Sequence, residues 1–416
     1  MKKLAALAFS TLLIAGAQAQ DYLDDAQRFL TWSAFDGNMR VRLSGLADLE
    51  AYSTPQPPPG LIYTDHYALV NPRLSLFLDA QLGPHIYAFA QARVDRGFDP
   101  TDGKADVRLD EYAVRVSPWE DGRFTVQLGK FATVVGNWVE RHLSWDNPFV
   151  TAPLPYENLT AIWDGQAVPD DETLLYWAHV APSQLNGGPD DYSDKILRVP
   201  IIWGPSYASG VSVSGRVGKF DYAAEMKNVP LSSRPESWDA TSVDFDHPSF
   251  NGRFGFRPNA AWNLGFSFGH GPYLLPDAIP TFPPGHDNDH YHQTTLGQDI
   301  SFAWHHLQLW AEVYETRFQV PHVGQADTLA YYLEAKYKFT PQLFGALRWN
   351  QQFYNRIDTV EYGSAPWGDD VWRIDAALGY RFSAQTQLKF QYSLQNPRSA
   401  TEDLSHLFAG QFTLRF

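Results

Sequence analysis

The chain has 416 residues, a formal net charge of −15 and no cysteine. The acidic balance excludes a nucleic-acid footprint, which needs a basic face. The missing thiols exclude a disulfide framework, thiolate metal sites and haem attachment through C-x-x-C-H.

The first residues, MKKLAALAFSTLLIAGAQA, set Lys2 and Lys3 before an apolar run from Leu4 to Gly16 and a small-residue Ala17-Gln18-Ala19. That order reads as a secretory signal peptide over 1–19, too short to cross a bilayer. A buried N-terminal core helix is the competing reading. Residues 20–38 then read as a periplasmic N-terminal segment ahead of the main fold. Beyond the leader no apolar run approaches the length of about 18 residues that a membrane helix needs.

From position 39 the chain alternates. In NMRVRLSGLADLEAY, Met39, Val41, Leu43, Gly45, Ala47 and Leu49 share one face, and Arg40, Arg42, Ser44, Asp48 and Glu50 the other. Leu74, Leu76, Leu78, Ala80 and Leu82 oppose Arg73, Ser75, Asp79 and Gln81; after Gly83-Pro84, Ile86, Ala88, Ala90, Ala92 and Val94 oppose Gln91 and Arg93. A two-residue period puts alternate side chains on opposite faces of a sheet. In RLDEYAVRV (108–116) the phase slips between Asp110 and Glu111, which predicts a bulge. Late in the chain Trp372, Ile374, Ala376, Leu378 and Tyr380 oppose Arg373, Asp375 and Arg381, and Leu388, Phe390 and Tyr392 oppose Lys389, Gln391 and Ser393.

Strands of about nine to twelve residues suit a tilted membrane strand, where soluble strands run to about five or six. Connections also alternate. Short turns fall at 83–84, 117–122, 218–219, 257–261, 305–306, 340–342 and 383–385. Long polar loops fall near 52–69, 97–105, 133–171, 229–248, 271–294, 316–327 and 355–370. Short periplasmic turns facing long outer loops are the pattern of a transmembrane β-barrel. The expected fold is therefore all-β: an antiparallel barrel over 39–416 with sixteen strands. The stretch 172–204 (ETLLYWAHVA and KILRVPIIWG) allows one more hairpin and eighteen strands.

The last segment, LFAGQFTLRF, resembles the C-terminal signature of Gram-negative outer-membrane porins. The resemblance implies recognition by the barrel-assembly machinery, insertion into outer-membrane lipid and assembly as homotrimers. A second patch of about thirty residues, RLDEYAVRVSPWEDGRFTVQLGKFATVVGNW, is similar to a strand–turn–strand of the phosphate-selective porin family. That likeness implies that loop 133–171 folds into the lumen as a constriction, with Trp138, Glu140, Arg141, His142, Trp145 and Asp146 lining it. The alternative is an ordinary outer loop whose aromatic residues pack among themselves.

Arg40, Arg42, Arg73, Arg93, Arg123, Arg348, Arg373, Arg381 and Lys389 fall on polar faces and read as pore-lining cations, joined by Arg253, Arg257, Lys336 and Lys338. Asp48, Glu50, Asp79, Asp95, Asp221, Glu225, Glu334 and Asp375 share those faces. Charged rows set ion preference in a pore, and these predict a mildly anion-favouring lumen beneath an acidic outer mouth, or a mixed wall that selects little. GHDNDHYH gathers His286, Asp287, Asp289, His290 and His292, ligand types for a divalent first-row metal; a solvated outer loop is the competing reading. H-E-x-x-H does not occur, so the reading is not an enzyme, and it calls for no cofactor. It is a passive outer-membrane porin for small hydrophilic solutes or ions. The alternatives are a barrel casing for a periplasmic or extracellular partner such as a multihaem cytochrome, and an adhesin-like surface barrel.

Overall fold

The computed structural model describes residues 28–95, 106–179, 197–234, 243–361, 363–396 and 404–416. The expected leader, 1–19, lies outside the described residues. Sixteen antiparallel strands close into one barrel. They are β1 (Met39–Ser53), β2 (Ala68–Leu82), β3 (Ile86–Asp95), β4 (Asp106–Val116) and β5 (Thr125–Phe131), then β6 (Ala208–Val217), β7 (Phe220–Lys227), β8 (Ser249–Phe256) and β9 (Trp262–Pro272). After these come β10 (His292–Trp304), β11 (Leu307–Val320), β12 (Gly324–Lys338), β13 (Leu343–Tyr354), β14 (Val371–Arg381), β15 (Thr386–Gln395) and β16 (Ser405–Arg415). Each pairs with its chain neighbours, and β16 returns to β1 with Phe412 opposite Leu49 and Gln411 opposite Glu50.

The two-residue period sorts the faces. On β12 and β13 the outward Leu333 and Leu347 are 53 % and 62 % exposed, while the inward Glu334 and Arg348 are 3 % and 1 % exposed. Apolar side chains turned outward and charged ones turned inward invert the order of a soluble sandwich. The expected bulge is present: Gln91 faces Glu111 and Ala92 faces Leu109, which leaves Asp110 as the extra residue of β4.

The eighteen-strand alternative is overturned. Asp171–His179 is a helix, α1, whose first turn is capped by Asp170: its carboxylate accepts from the Thr173 N–H at 2.7 Å. Leu174 and Trp177, three apart, face the interior together, a helical spacing where a strand would alternate. The long loop expected near 316–327 is also absent. β11 and β12 continue to Val320 and from Gly324, and only 321–323 connect them.

The seam explains the final residue. Gly45 and Phe416 exchange backbone hydrogen bonds, each N–H donating to the other's C=O at 3.0 Å. The Phe416 ring lies on the outer face directly over Gly45, in the space a β-carbon there would fill. Past Phe416 the same edge of β1 is taken over by a short N-terminal strand, Thr31–Ala34, with Thr31 opposite Arg42 and Ala34 opposite Met39. The short strand Thr31–Ala34 and the end of β16 thus lie end to end along β1. Replacing Gly45 with Val should displace the ring and loosen the last ladder bonds, lowering refolding yield in detergent about as much as Phe416→Ala does. Equal yields of the wild type and Gly45→Val would show that the seam does not depend on that packing.

Candidate functional site

The interior is not an empty cylinder. After Phe131 the chain turns inward, and the described residues 132–179 and 197–207 lie inside the wall before β6 begins. Its entry is held by Glu225 of β7, which accepts from the Thr133 hydroxyl at 2.7 Å and the Val134 N–H at 3.3 Å.

Deeper in, Glu312 of β11 is the first anchor. Its carboxylate accepts from the Asn137 N–H, from the Trp138 N–H at 2.8 Å and from the Tyr156 hydroxyl at 2.6 Å. Tyr156 also meets the Tyr314 hydroxyl at 2.8 Å. Arg141 pairs with Glu334 of β12, donates to the Tyr332 hydroxyl at 3.0 Å and lies over the Trp310 ring at 4.3 Å.

The next stretch is held through its carbonyls. Lys389 of β15 donates to the carbonyls of Ser144 at 2.8 Å, Asn147 at 2.9 Å and Phe149 at 3.1 Å. Gln391 accepts from the Val150 and Thr151 N–H groups at 2.6 and 3.1 Å. Arg348 donates to the Thr151 and Ala152 carbonyls at 3.1 and 3.0 Å and pairs with Asp375 at 2.8 Å. Arg373 donates to the Ala152 carbonyl at 2.6 Å and pairs with Glu157 and Asp375. Loop backbone without a sheet partner must still satisfy its polar groups, and here the wall's side chains do so. Around these bonds an apolar cluster packs one side of the interior, joining Trp138, Tyr156, Ile202 and Trp203 of the loop to Tyr314, Phe318, Tyr332 and Trp367 of the wall and outer loops.

The structure therefore places the nine predicted pore-lining cations in four groups. Arg348, Arg373 and Lys389 do point inward but are 1 %, 1 % and 0 % exposed, covered by the loop they hold. As lining of open space they are corrected: an inward position on a strand does not reveal what packs on it. Arg73 and Arg93 are held by ion pairs, the first with Asp48 and Glu50, the second with Asp95 and Asp110. Arg40, Arg42 and Arg381 lie at the short-turn end, Arg40 and Arg42 exposed and Arg381 half-buried against the Trp145 ring at 4.8 Å. Arg123 is not on the lumen wall. It precedes β5 in a turn, bound to Asp121 and stacked over Trp119 at 4.5 Å.

Of the loop residues, Trp138, Arg141 and Trp145 are buried, His142 is half-buried, and Glu140 and Asp146 are exposed. His142 sits between the Val139 carbonyl at 2.6 Å and the Tyr207 hydroxyl at 2.7 Å. Burial lowers its pKa to about 4, from a usual 6.5. A folded value below the unfolded one means that the seated loop favours neutral imidazole. That contribution is complete above pH 6.5 and is lost as pH falls towards 4. Intrinsic tryptophan fluorescence of the refolded barrel should accordingly change through that window in the wild type and stay level in His142→Gln. Identical records would remove His142 as the cause.

The histidine-rich loop does not assemble a metal site. Asp287 pairs with His290 at 2.7 Å, Asp289 with His247 at 2.8 Å, and His286 with the Tyr291 hydroxyl at 2.6 Å. His292 is on β10, its ring stacked on His270 at 4.5 Å. Among the described residues no three of these donors converge.

Open space remains on the other side of the lumen. Between the loop and β1–β3 lies a cavity of about 80 Å3, bordered by Asp48, Arg73, Gln91, Arg93, Trp138 and His142. It adjoins a larger one of about 390 Å3 towards the short-turn end, with Leu46, Gln91 and Leu143 common to both. Sequence reasoning missed Glu312, Gln391 and Glu157. For the first two a signal existed, a polar residue at an inward position of a long strand, but the partner segment is far away in sequence.

No family profile matches the chain and no curated protein matches it. Solved structures do. The OmpF of Salmonella typhi in complex with daunomycin is 12 % identical with a TM-score of 0.55, over 92 % of this chain and all of that one. An anion-selective porin from Comamonas acidovorans is 11 % identical with a TM-score of 0.54, over 91 % of this chain and 100 % of its own. OmpT of Vibrio cholerae is 9 % identical with a TM-score of 0.54, over 92 % and 100 %. At these identities the likeness is one of architecture: the chain has the fold of the outer-membrane porins.

Proposed function

We propose that this chain is an outer-membrane porin through which small hydrophilic solutes diffuse passively, with its short turns in the periplasm and its apolar outer face in lipid. The observation that carries the reading is the lopsided filling of the lumen. The loop is bonded to the wall from β7 to β15, and the remaining space runs along β1–β4. A barrel of about sixteen strands is wide enough for an aqueous channel, and a loop pinned to one side narrows it. A casing for an electron-carrying partner would need an unoccupied cylinder, which the loop does not leave. The adhesin reading rests only on the outer loops.

A mild anion preference is part of the proposal, and its support now comes from the short-turn end. The central guanidinium groups of Arg73, Arg93 and Arg373 are neutralised by carboxylates. Arg115, Arg381 and Arg415 bond instead to neutral groups, Gln127, Gln387 and the Ala384 carbonyl. Planar-bilayer recording tests both parts. Stable single-channel steps in KCl are expected, with a reversal potential under a salt gradient that favours chloride. Silence would remove the pore, and a cation-favouring potential would remove the preference.

A further inference from the structure

The inward face of the first three strands carries apolar residues beside open space. Leu46 of β1, Phe77 of β2 and Phe89 of β3 all point into the lumen, whereas the inward Tyr314, Phe318 and Tyr332 of the later strands are buried in the apolar cluster. Phe77 and Phe89 are only half-buried, so they present aromatic surface to open space. They border the cavity of about 390 Å3, and Leu143 and Trp145 of the lumen loop face them across it. A volume of that order suits one small organic molecule. An apolar patch kept open inside a polar lumen points to a ligand.

Guanidinium groups surround the patch, and most lie over its rings. Arg115 is 5.6 Å from the Phe89 ring and 5.7 Å from that of Tyr87. Arg415 and Arg381 lie on the Trp145 ring at 4.4 and 4.8 Å. Arg42 borders the cavity and is exposed. Among the described residues, none of these four arginines is in an ion pair, unlike Arg73 and Arg93 nearby. Acids are present too. Asp79 accepts from the Tyr87 hydroxyl, Glu111 from the Ala132 N–H at 2.9 Å, and Asp146 is exposed. Stacking a guanidinium on a ring holds its plane while leaving its N–H edges free for a carboxylate.

From this we infer that the cavity at the short-turn end is a binding site for small aromatic carboxylates, the ring lying against Phe77, Phe89 and Leu143 and the carboxylate meeting Arg42 and Arg415. The inference rests on the pore reading for its role as a solute site, and it names the solute class. It predicts recognition by two features at once. Acetate has the charge without the ring, and benzylamine has the ring with the opposite charge.

Isothermal titration of the refolded full chain in detergent, with benzoate, acetate and benzylamine as probes, decides it. Saturable heat is expected with benzoate, with affinity about tenfold weaker for acetate and for benzylamine. Phe77→Ala and Arg415→Gln should each weaken benzoate by about tenfold, and two variants guard against one failing to fold. No saturable heat, equal binding of acetate or benzylamine, or unchanged affinity in both variants overturns the site. Bilayer currents separate the two proposals. KCl conductance without benzoate binding sinks the site and leaves the pore; benzoate binding without conductance sinks the pore and leaves the site.

Discussion

Replacing Lys389 with Met should raise single-channel conductance severalfold and blunt any solute discrimination. The ammonium is fully buried and is the shared donor for the Ser144, Asn147 and Phe149 carbonyls. A thioether cannot donate, so three carbonyls would lose their partner in a site that water cannot reach without moving the loop. Each orphaned buried group costs about 1–3 kcal/mol, enough in sum to favour lifting this stretch from the wall. The barrel itself should survive. Position 389 keeps its backbone ladder to Gly379 of β14 and Gln411 of β16. Gel mobility of the folded species reports the barrel and bilayer current reports the loop. Unchanged current with a folded barrel would mean that Lys389 does not hold the constriction.

The second large effect is expected at Gly136. Its φ of +76° lies in the left-handed region that glycine tolerates best. A β-carbon there would also collide with the Tyr314 hydroxyl and approach the Tyr156 hydroxyl and Glu312 Oε1 at 2.6 and 2.8 Å. Those are the groups that fasten Asn137 and Trp138 to β11. Gly136→Ala is thus strained in its backbone and displaces the knot it sits in, a combined cost of several kcal/mol. Gly285 makes the fitting control: its φ is +82° but nothing lies within 4 Å of a β-carbon there. Arg141, buried against Glu334, offers a direct readout. Trypsin should cut after Arg141 in the folded Gly136→Ala barrel and spare it in the wild type and in Gly285→Ala. Protection in all three would show that the loop seats without Gly136.

The barrel was legible because its signal is local. Leu74 to Leu82 or Leu388 to Tyr392 show alternation within a single strand, and the short turns show themselves by their residues. Even the slip at Asp110 appears as a break of phase within nine residues. Where the reading missed, the plain alternation of apolar and polar residues was not there to follow. The stretch after Asp170 carried apolar residues without alternation, and helical spacing of Leu174 and Trp177 went unseen. Near 316–327, the polar outward Glu315, Arg317, Gln325 and Asp327 suggested a loop, whereas both strands continue there in regular ladder.

What the sequence alone determined is the wall: which side chains face outward, and that successive strands pair with their chain neighbours, while the choice of sixteen over eighteen waited for the structure. These follow from a two-residue period that needs no distant partner to be read. What only the tertiary structure decided is the interior. Arg348, Arg373 and Lys389 carry the same inward signature as Arg42, yet the first three are bonded beneath a loop from far away in the chain and the last faces open space. A strand's period records the face a side chain takes; what lies against that face depends on contacts between residues up to some 240 positions apart, as between Phe149 and Lys389, and such contacts leave no periodic trace in the sequence.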